Sequence, residues 1–312
     1  MTEVLFTSES VRDVKGKVVV MTGGAQGIGA ATVTLLYNAG AHVYFGDWDD
    51  KKGTQLVDNL RSTTSESGGS VHFQKLDVRD YKSQLQLFQT PYAERRIVDV
   101  AISCAAVTEP SGWFQPDELD LETVKIEPQP LKDAVDINLT SVISFCRIAL
   151  AFMKQDDQST TNGDGKHFSK SIVLVSSIAG IVEQAGLFSY GAAKHGVIGL
   201  MRSLRAWAPA KFGVRVNAVC PWATDTQLMD SVRSIWVGRG LPINTPAEVG
   251  QFILQCAVDG ELNGRSVLVG GGKGYDTEAG IDKTLPQWMG VLADDFYRGQ
   301  EALGMVSLSV QC

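Results

Sequence analysis

The feature that most constrains the fold is an apolar, β-branched run that leads directly into a glycine-rich turn and then into a helical pattern. Residues 17–22 read KVVVMT, residues 23–29 read GGAQGIG, and residues 30–39 have helical periodicity. The first run is typical of a buried parallel strand. A strand, a glycine turn and a helix in this order are the context in which such a motif indicates a dinucleotide site. A glycine-rich connection without a ligand is the alternative.

In that context each glycine has a physical role. Gly23 permits the turn, Gly27 allows the backbone to approach a diphosphate, and Gly29 lets the helix and the strand pack closely. The helix N-terminus offers unpaired N–H groups to the phosphates, so Gln26 and Ile28 are candidate cofactor contacts as well.

A second strand pattern, residues 42–46, ends at Asp47, whose carboxylate can accept hydrogen bonds from both adenosine ribose hydroxyls. It also repels a 2′-phosphate, because two unit charges about 4 Å apart cost roughly 4 kcal/mol at an effective dielectric of 20. Asp49 and Asp50 add to the repulsion and no arginine is near, so we predict NAD rather than NADP. Trp48 either covers the adenine or caps the core.

Strand patterns continue to alternate with helical ones along the chain. This alternation predicts the α/β class: a single doubly wound Rossmann-type domain with a mostly parallel seven-stranded sheet and helices on both faces. Ligands then bind beyond the carboxyl ends of the strands. Six chemically informative positions fall at such ends, namely Gly23, Asp47, Asp77, Cys104, Ser177 and Pro221. Asp77 could accept the adenine amino group, and the small Ala105 lets a dinucleotide lie against the backbone or lets a helix pack there.

Tyr190 and Lys194 are spaced so that both lie on one face of a helix, and Ser177 follows a strand and can reach the same point. A free tyrosine ionises near pH 10, roughly three units above the working range. A nearby cation favours the charged form, so Lys194 is expected to lower the pKa of Tyr190 and prepare it for general acid–base catalysis. An ordinary helix start with surface Tyr and Lys is the alternative.

Composition limits the classes of function. The net charge is −7 without a basic run, which argues against nucleic acid and an anionic membrane surface. No apolar run of membrane-spanning length and no N-terminal signal is evident. Five cysteines without paired spacing indicate reduced thiols and a cytoplasmic protein. The sequence contains no cluster of Cys and His residues, so no metal site is predicted.

The expected organisation is a polar lead-in at 1–16, a catalytic domain at 17–272 and a tail at 273–312. Residues 222–245 have no strand pattern and suit a mobile substrate lid. Residues 62–70 and 155–170 are predicted as polar loops, and 107–130 as an irregular insertion. Asn138, in a predicted helix at 131–154, either kinks that helix and holds a water or faces solvent.

Together these residues resemble the short-chain dehydrogenase/reductase family over roughly residues 16–272. The family's motifs occur here in the family's order, namely TGGAQGIG, Asp47, LDV at 76–78, Asn138, Ser177, Tyr190 and Lys194. GDWDDKKG at 46–53 and GVRVNAVCP at 213–221 look closest to its NAD-dependent, hydroxyprostaglandin-dehydrogenase-like branch.

The resemblance implies catalytic roles. Tyr190 is the acid–base, Ser177 polarises the reacting oxygen, Lys194 holds the nicotinamide ribose, and Asn138 keeps a water that links Lys194 to solvent. It also extends the cofactor contacts to Val78, Thr224 and Thr226.

The sequence departs from the family in three places. Ser103-Cys104-Ala105-Ala106 replaces Asn-Asn-Ala-Gly, Trp222 replaces the glycine after Pro221, and the tail is longer than the family minimum.

The predicted function is NAD-dependent oxidation of a secondary alcohol to a ketone on an apolar steroid-, terpenoid-, fatty- or polyketide-like molecule. Large apolar side chains in segments expected around the site suggest that substrate, namely Trp113, Phe114, Leu187, Trp222 and Trp236. The alternatives are the reverse ketoreductase, a cofactor-binding protein reused for non-redox chemistry, and an epimerase or dehydratase. By resemblance, helices 131–154 and 190–212 form a homodimer or homotetramer interface.

Overall fold

The computed structural model describes residues 2–7, 12–62, 68–110, 114–154 and 170–302. Trp113, most of the predicted loops at 62–70 and 155–170, and the last ten residues of the tail lie outside these ranges. Among the described residues the strands are β1 Thr2–Val4, β2 Val18–Thr22, β3 His42–Asp47, β4 Ser70–Lys75, β5 Val100–Ser103, β6 Lys170–Val175, β7 Val214–Pro221, β8 Ser266–Gly270 and β9 Lys273–Asp276.

The helices fill the intervals between these strands and extend beyond the last one. In the described part of the chain they are α1 Gly27–Asn38, α2 Asp50–Ser62, α3 Tyr81–Arg95, α4 Gln129–Val135, α5 Ser141–Lys154, α6 Phe188–Phe212, α7 Arg233–Gly238, α8 Pro246–Val258, α9 Glu278–Met289 and α10 Leu292–Ala302. A π turn, Asp136–Thr140, joins α4 to α5.

The strands form one sheet in the order β1-β9-β8-β7-β6-β5-β2-β3-β4. Strands β2 to β8 are parallel where they pair, with Val19 opposite Val43 on one side and opposite Val100 on the other. The chain runs outward from β2 to β4 and then crosses back to β5 beside β2. That reversal places a crevice at the carboxyl ends of β2 and β5, where doubly wound sheets bind ligands.

Helices cover both faces of the sheet, as predicted. Alternate side chains of β2 point to opposite faces, so Val19 and Met21 pack with α1, α2 and α8, while Val20 packs with α3, α5 and α6. Because both faces are buried, the central strands β2 and β5 read as continuous apolar runs instead of alternating ones.

The predicted count of seven strands is two short, because β1 and β9 add antiparallel strands at one edge. Gly271 and Gly272 have φ values of +58° and +74° and form a two-residue turn between β8 and β9. A hairpin turn with both central residues at positive φ favours glycine, so this pair carried a signal that the sequence analysis missed. The lead-in therefore contains a strand, and the tail contains a strand and two helices.

The tail is fastened to α6 through Glu278, which is buried at 1% exposure. Its carboxylate accepts two hydrogen bonds from Arg202, both at 2.9 Å, and one from Arg205 at 3.2 Å. Ser266 on β8 donates another at 2.5 Å. Strand, helix and tail thus meet at one satisfied carboxylate.

Within the described residues one helical stretch, Gln129–Lys154, is long and apolar enough to meet a membrane-span criterion by composition. No such run was predicted from the sequence. In the fold the apolar side of α5 packs on the sheet through Phe145, Ile148 and Ala149, as a core helix does.

Candidate active site

A cavity of about 880 Å³ lies at the carboxyl ends of the parallel strands. Every residue predicted to bind the cofactor lines it, together with Ser177, although these residues come from segments spread over about 200 positions of the chain. The set comprises Gly23, Gln26, Gly27, Ile28, Gly29, Asp47, Trp48, Asp77, Val78, Ala105, Tyr190, Lys194, Thr224 and Thr226. Asn138 lies behind this wall.

The glycine turn fits a diphosphate. Gly23 has a φ of +73°, and a Cβ there would lie 2.5 Å from the Cα of Ala105. A Cβ on Gly29 would overlap the carbonyl oxygen of Gly23, so neither position accepts a side chain. The first turn of α1 contains no acidic residue, and Gly27, Ile28 and Gly29 line the cavity there. The positive end of this helix therefore faces the space where phosphates are expected.

Asp47 is buried at the end of β3 and connects this turn to the next loop. Its Oδ2 accepts a hydrogen bond from the Ala25 N–H at 2.9 Å, and its Oδ1 accepts one from the Asp49 N–H at 3.0 Å. Each carboxylate oxygen can accept more than one hydrogen bond, so capacity remains for ribose hydroxyls.

Lys52, which was not predicted as part of the site, pairs with Asp49, two residues after Asp47. Its ammonium donates to Gln26 Oε1 at 2.5 Å and lies 3.5 Å from Asp49 Oδ2. It also donates to the Oε1 of Gln227, a residue that lines the cavity, at 3.4 Å. Together with Arg79, which lines the cavity beside Asp77, Lys52 brings positive charge to the adenosine end of the site, and each of these two cations is already paired with an aspartate.

Two other adenosine-side predictions are refined. Trp48 is 73% exposed, which excludes its role as a cap on the core and leaves its role as a cover for the adenine. Asp77 lines the cavity, but its carboxylate is already bound by Arg79. The Nη2 of Arg79 donates a hydrogen bond to the Oδ2 of Asp77 at 2.7 Å. This guanidinium lowers the pKa of the Asp77 carboxyl. Any adenine contact by Asp77 must use the lone pairs that Arg79 leaves.

Ser177 follows β6 and begins a short 3₁₀ turn, where its Oγ accepts a hydrogen bond from the Ala179 N–H at 3.2 Å. Tyr190 is the third residue of α6, and its hydroxyl lies near enough to Ser177 for that side chain to lower the pKa of the phenol. Lys194, one turn further along, is 2% exposed and donates to the Val175 carbonyl at 3.0 Å. The predicted triad therefore converges at one point of the cavity wall.

The expected direction of the Tyr190 pKa was wrong for the protein as it stands. Burial raises the pKa of Tyr190, and the hydrogen bond from Ser177 opposes this without overcoming it. The Lys194 ammonium lies over the Tyr190 ring, 5.5 Å from its centre, instead of at the hydroxyl. Burial also lowers the pKa of Lys194 to about 8. Desolvation disfavours the charged form of each group, which explains both directions.

Asn138 is completely buried in the π turn, so the predicted interruption of the helix is present and a solvent-facing position is excluded. Its Oδ1 accepts from the Val107 N–H at 3.1 Å, and its Nδ2 donates to the Val107 carbonyl at 2.9 Å. The side chain therefore holds the segment after β5 that forms the cavity wall at Ala105, Ala106 and Val107. The water that was predicted at Asn138 stays a prediction.

The lid predicted at 222–245 contains a 3₁₀ turn, Gln227–Met229, and the short helix α7. Arg233 ties it together by pairing with Asp225 and Asp230. Trp222 and Trp236 both line the cavity and pack edge to face, with ring centres 5.4 Å apart. Leu187 lines the cavity as well, whereas Phe114 packs on Phe188 outside it, with ring centres 4.5 Å apart.

Comparison with known proteins matches residues 17–235 to the family model described as short chain dehydrogenase. The chain belongs to this family. As a short-chain dehydrogenase it is an oxidoreductase that acts on alcohols or ketones with a nicotinamide cofactor, NAD or NADP. The glycine turn described above fits such a cofactor.

Three relatives illustrate the range of similarity. The 5′-hydroxyaverantin dehydrogenase of Dothistroma septosporum is 32% identical over 86% of this chain and 88% of its own length. The NAD(+)-dependent 15-hydroxyprostaglandin dehydrogenase of Mus musculus is 31% identical over 70% of this chain and 71% of its own. A short-chain type dehydrogenase/reductase structure from Mycobacterium ulcerans is 22% identical, has a TM-score of 0.70, and matches 83% of this chain and 90% of its own. The family is thus shown, whereas the hydroxyprostaglandin-like branch is one similarity among several.

One further residue of this short-chain dehydrogenase contacts the catalytic elements and was not predicted. Glu109, in the segment after β5, binds the first turn of α6 through Ser189 and Tyr190. No local pattern signals this contact, because the partners are 80 and 81 positions apart.

Proposed function

We propose that this short-chain dehydrogenase oxidises a secondary alcohol to a ketone on an apolar small molecule, with NAD as the acceptor. The observation that carries the proposal is that Ser177, Tyr190 and Lys194 share one cavity wall with the glycine turn and Asp47. The acid–base groups and the cofactor contacts therefore face the same enclosed space.

In the proposed mechanism, Ser177 donates a hydrogen bond to the substrate oxygen and holds it beside the Tyr190 hydroxyl. Tyr190 in its phenolate form removes the hydroxyl proton. Lys194 keeps a positive charge near the phenol and thereby favours that form. The nicotinamide, when bound, would accept the hydride from the carbinol carbon. Asn138 fixes the Val107 segment and keeps the cavity wall in place.

Asp47 supports NAD over NADP. Its buried carboxylate stands at the end of β3, where a 2′-phosphate would meet it. Lys52 offers the opposite charge, but Gln26 and Asp49 already engage its ammonium. The NAD(+)-dependent relative from mouse agrees with this preference.

An apolar substrate is supported by the lid. Several large apolar side chains line the cavity, namely Trp222, Trp236, Leu187, Ile235 and Leu241. A lining of aromatic and aliphatic side chains favours ring-bearing or long-chain molecules. The two dehydrogenases compared above are named for hydroxyaverantin and hydroxyprostaglandin, and both names denote oxidation of a hydroxyl group, as proposed here. Ketone reduction by the same groups is the reverse reaction.

The test is to follow reduced-cofactor absorbance for the purified protein with NAD or NADP and a panel of steroid, terpenoid, fatty and polyketide secondary alcohols. We expect turnover with NAD on at least one class, and a loss of about 10²–10⁴-fold in kcat for Tyr190→Phe. Silence across the panel in both directions, or full activity of Tyr190→Phe, would contradict the proposal. Silence would favour non-redox reuse of the fold, whereas full activity of Tyr190→Phe would mean that another group accepts the hydroxyl proton.

We also propose a homodimer or homotetramer built on α5 and α6, in a cytoplasmic setting. Ile143 on α5 and Trp207 on α6 are each 48% exposed and offer apolar surface for it. Sedimentation of the purified protein and of Trp207→Glu tests this association, since a buried charge should dissociate the oligomer.

A further inference from the structure

The helix that carries Tyr190 begins without a capping side chain of its own. α6 starts at Phe188, and the N-cap position is Leu187, whose side chain cannot accept a hydrogen bond. The first-turn N–H groups of a helix have no partner within the helix, and leucine is among the poorest N-cap residues. Without another acceptor, the turn that positions the phenol would be prone to fray.

Glu109 supplies that acceptor from a distant segment. Its Oε2 accepts a hydrogen bond from the Tyr190 N–H at 2.7 Å and one from the Ser189 hydroxyl at 2.8 Å. Its Oε1 accepts from the Ser189 N–H at 3.2 Å. A carboxylate is also the charge that the positive end of a helix dipole favours. Both oxygens are thus used on the turn that holds Tyr190.

The segment that carries Glu109 is itself fixed. Two residues earlier, the backbone of Val107 is held at both its N–H and its carbonyl by the buried Asn138. Residues 104–108 between β5 and Glu109 line the cavity. The tyrosine turn is therefore connected through Glu109 and Val107 to the π turn on the other side of the site.

We propose that Glu109 is a positioning residue that sets the place of the Tyr190 hydroxyl relative to Ser177 and Lys194. The inference rests on the proposed function for its effect on rate. Its structural part, the tether on Tyr190, does not depend on that function. When the tether is lost, the first turn of α6 loosens and the phenol leaves the Ser177 hydroxyl. A displacement of about 1 Å at a reacting group can lower a rate by about 10²-fold.

The test compares Glu109→Ala, Glu109→Asp and Glu109→Gln with the unaltered protein. Aspartate keeps the charge but is one methylene shorter, and glutamine keeps the length and one acceptor oxygen. We expect kcat on the best alcohol of the panel to fall about 10–100-fold for Ala and Asp. It should fall less for Gln, which keeps an acceptor for the Tyr190 N–H but turns its amide NH2 toward the Ser189 N–H. The dissociation constant for NAD, measured by fluorescence, should stay within about twofold.

The matched control is Asp80→Ala, which removes a carboxylate cap from α3, where Asp80 accepts from the Lys82 N–H at 2.9 Å. It should lower the Tm by a similar amount without changing kcat. A second readout needs no substrate: the ¹³Cζ resonance of Tyr190 in ¹³C-tyrosine-labelled protein, assigned by its loss in Tyr190→Phe. In Glu109→Ala or Glu109→Asp it should move to the position of a solvent-exposed tyrosine, and in Asp80→Ala it should not.

An unshifted Tyr190 resonance in both Ala and Asp variants, or a kcat within twofold of the unaltered protein, would overturn the positioning role. If the Ala variant does not fold, the Asp and Gln variants give the same comparison. A shifted resonance in a protein that oxidises no alcohol would leave the tether established and reject the proposed function instead. The two failures are therefore distinguishable.

Discussion

The ammonium group of Lys194 lies 5.5 Å from the centre of the Tyr190 ring and is almost wholly buried, with the Val175 carbonyl as its hydrogen-bond acceptor. Burial lowers the pKa of this lysine to about 8. A charge held there at neutral pH opposes folding, because the unfolded chain binds that proton more tightly. The arrangement therefore sacrifices stability for a cation beside the phenol.

Lys194→Met should accordingly stabilise the protein and abolish its activity. A pKa about 2.5 units below that of a free lysine corresponds to roughly 3 kcal/mol at 1.36 kcal/mol per unit. Loss of the bond to Val175 takes back about 1 kcal/mol, so we expect a net gain of about 2 kcal/mol at pH 7. Between pH 8 and about 10.5 the unaltered protein becomes more stable as the folded lysine loses its proton, and the gain vanishes. Chemical denaturation at pH 7 and pH 10 measures the free energy of unfolding of both proteins. The same difference between Lys194→Met and the unaltered protein at the two pH values would contradict this prediction.

Asp47→Ser should weaken the preference for NAD. The shorter serine gives up the hydrogen bond from the Ala25 N–H, and the charge that repels a 2′-phosphate is gone. We expect the ratio of the NADP and NAD dissociation constants to fall at least tenfold, since even about 1.4 kcal/mol of repulsion corresponds to that factor. Adding Lys52→Ala should reverse part of the gain, and Asp50→Ala alone should leave the ratio within about twofold. An unchanged ratio in Asp47→Ser would remove the argument for NAD.

Asn138→Ala should loosen the cavity wall. It leaves the Val107 N–H and carbonyl without their partner, at a cost of about 1–2 kcal/mol because water can reach this partly exposed segment. We expect kcat to fall about tenfold. Asn138→Asp should be worse, since a carboxylate oxygen then faces the Val107 carbonyl. Thr140→Ala, an exposed position in the same π turn, is the control. Thermal melts and steady-state rates test the series, and wild-type rates in Asn138→Ala would contradict it.

Trp222→Gly, which gives the residue that the family usually has, should widen the substrate end of the cavity. Removing the ring also removes the edge-to-face pair with Trp236, worth about 0.5–1.5 kcal/mol beyond its buried area. We expect KM for the preferred alcohol to rise about tenfold, bulkier alcohols to be accepted, and the NAD dissociation constant to change little. Trp288→Leu, on the exposed side of α9, should alter none of these. A loss of NAD binding would mean that Trp222 belongs to the nicotinamide end instead.

Glu278→Gln should make the fold less stable at neutral pH and less sensitive to acid. The Arg202 and Ser266 hydrogen bonds hold the pKa of this carboxyl below its usual value despite its burial. A depressed pKa contributes stability above the unfolded value of about 4.5, and that stability is lost as the pH falls through the folded value. We expect a loss of roughly 3 kcal/mol at pH 7, because two arginines lose their partner. The melting temperatures of Glu278→Gln and of the unaltered protein should converge as the pH is lowered from 7 to 4. A constant difference between them would count against a stabilising role of the Glu278 carboxylate.

Much of the site was predictable because its signals are local. The apolar runs of β2 and β3, the glycine turn between β2 and α1, and the spacing of Tyr190 and Lys194 each depend on a few consecutive residues. A parallel sheet brings the carboxyl ends of its strands to one edge, so strand order was not needed to predict that these residues share a cavity.

Contacts between distant segments were not predictable in the same way. Thr2 pairs with Asp276 at the edge of the sheet, Glu109 caps a helix 80 residues away, and Asn138 binds Val107, which is 31 positions away. The raised pKa of Tyr190 belongs here too, because desolvation depends on everything packed around the phenol. Spacing alone had suggested the opposite direction.

The sequence by itself determined the class of fold, the edge of the sheet that carries the site, and the residue types that meet there, because backbone periodicity and glycine geometry are short-range properties. Only the tertiary structure decided how firmly those residues are held and in which ionisation state. Capping by Glu109, the grip of Asn138 on Val107 and the burial of Lys194 arise from packing between elements far apart in the chain.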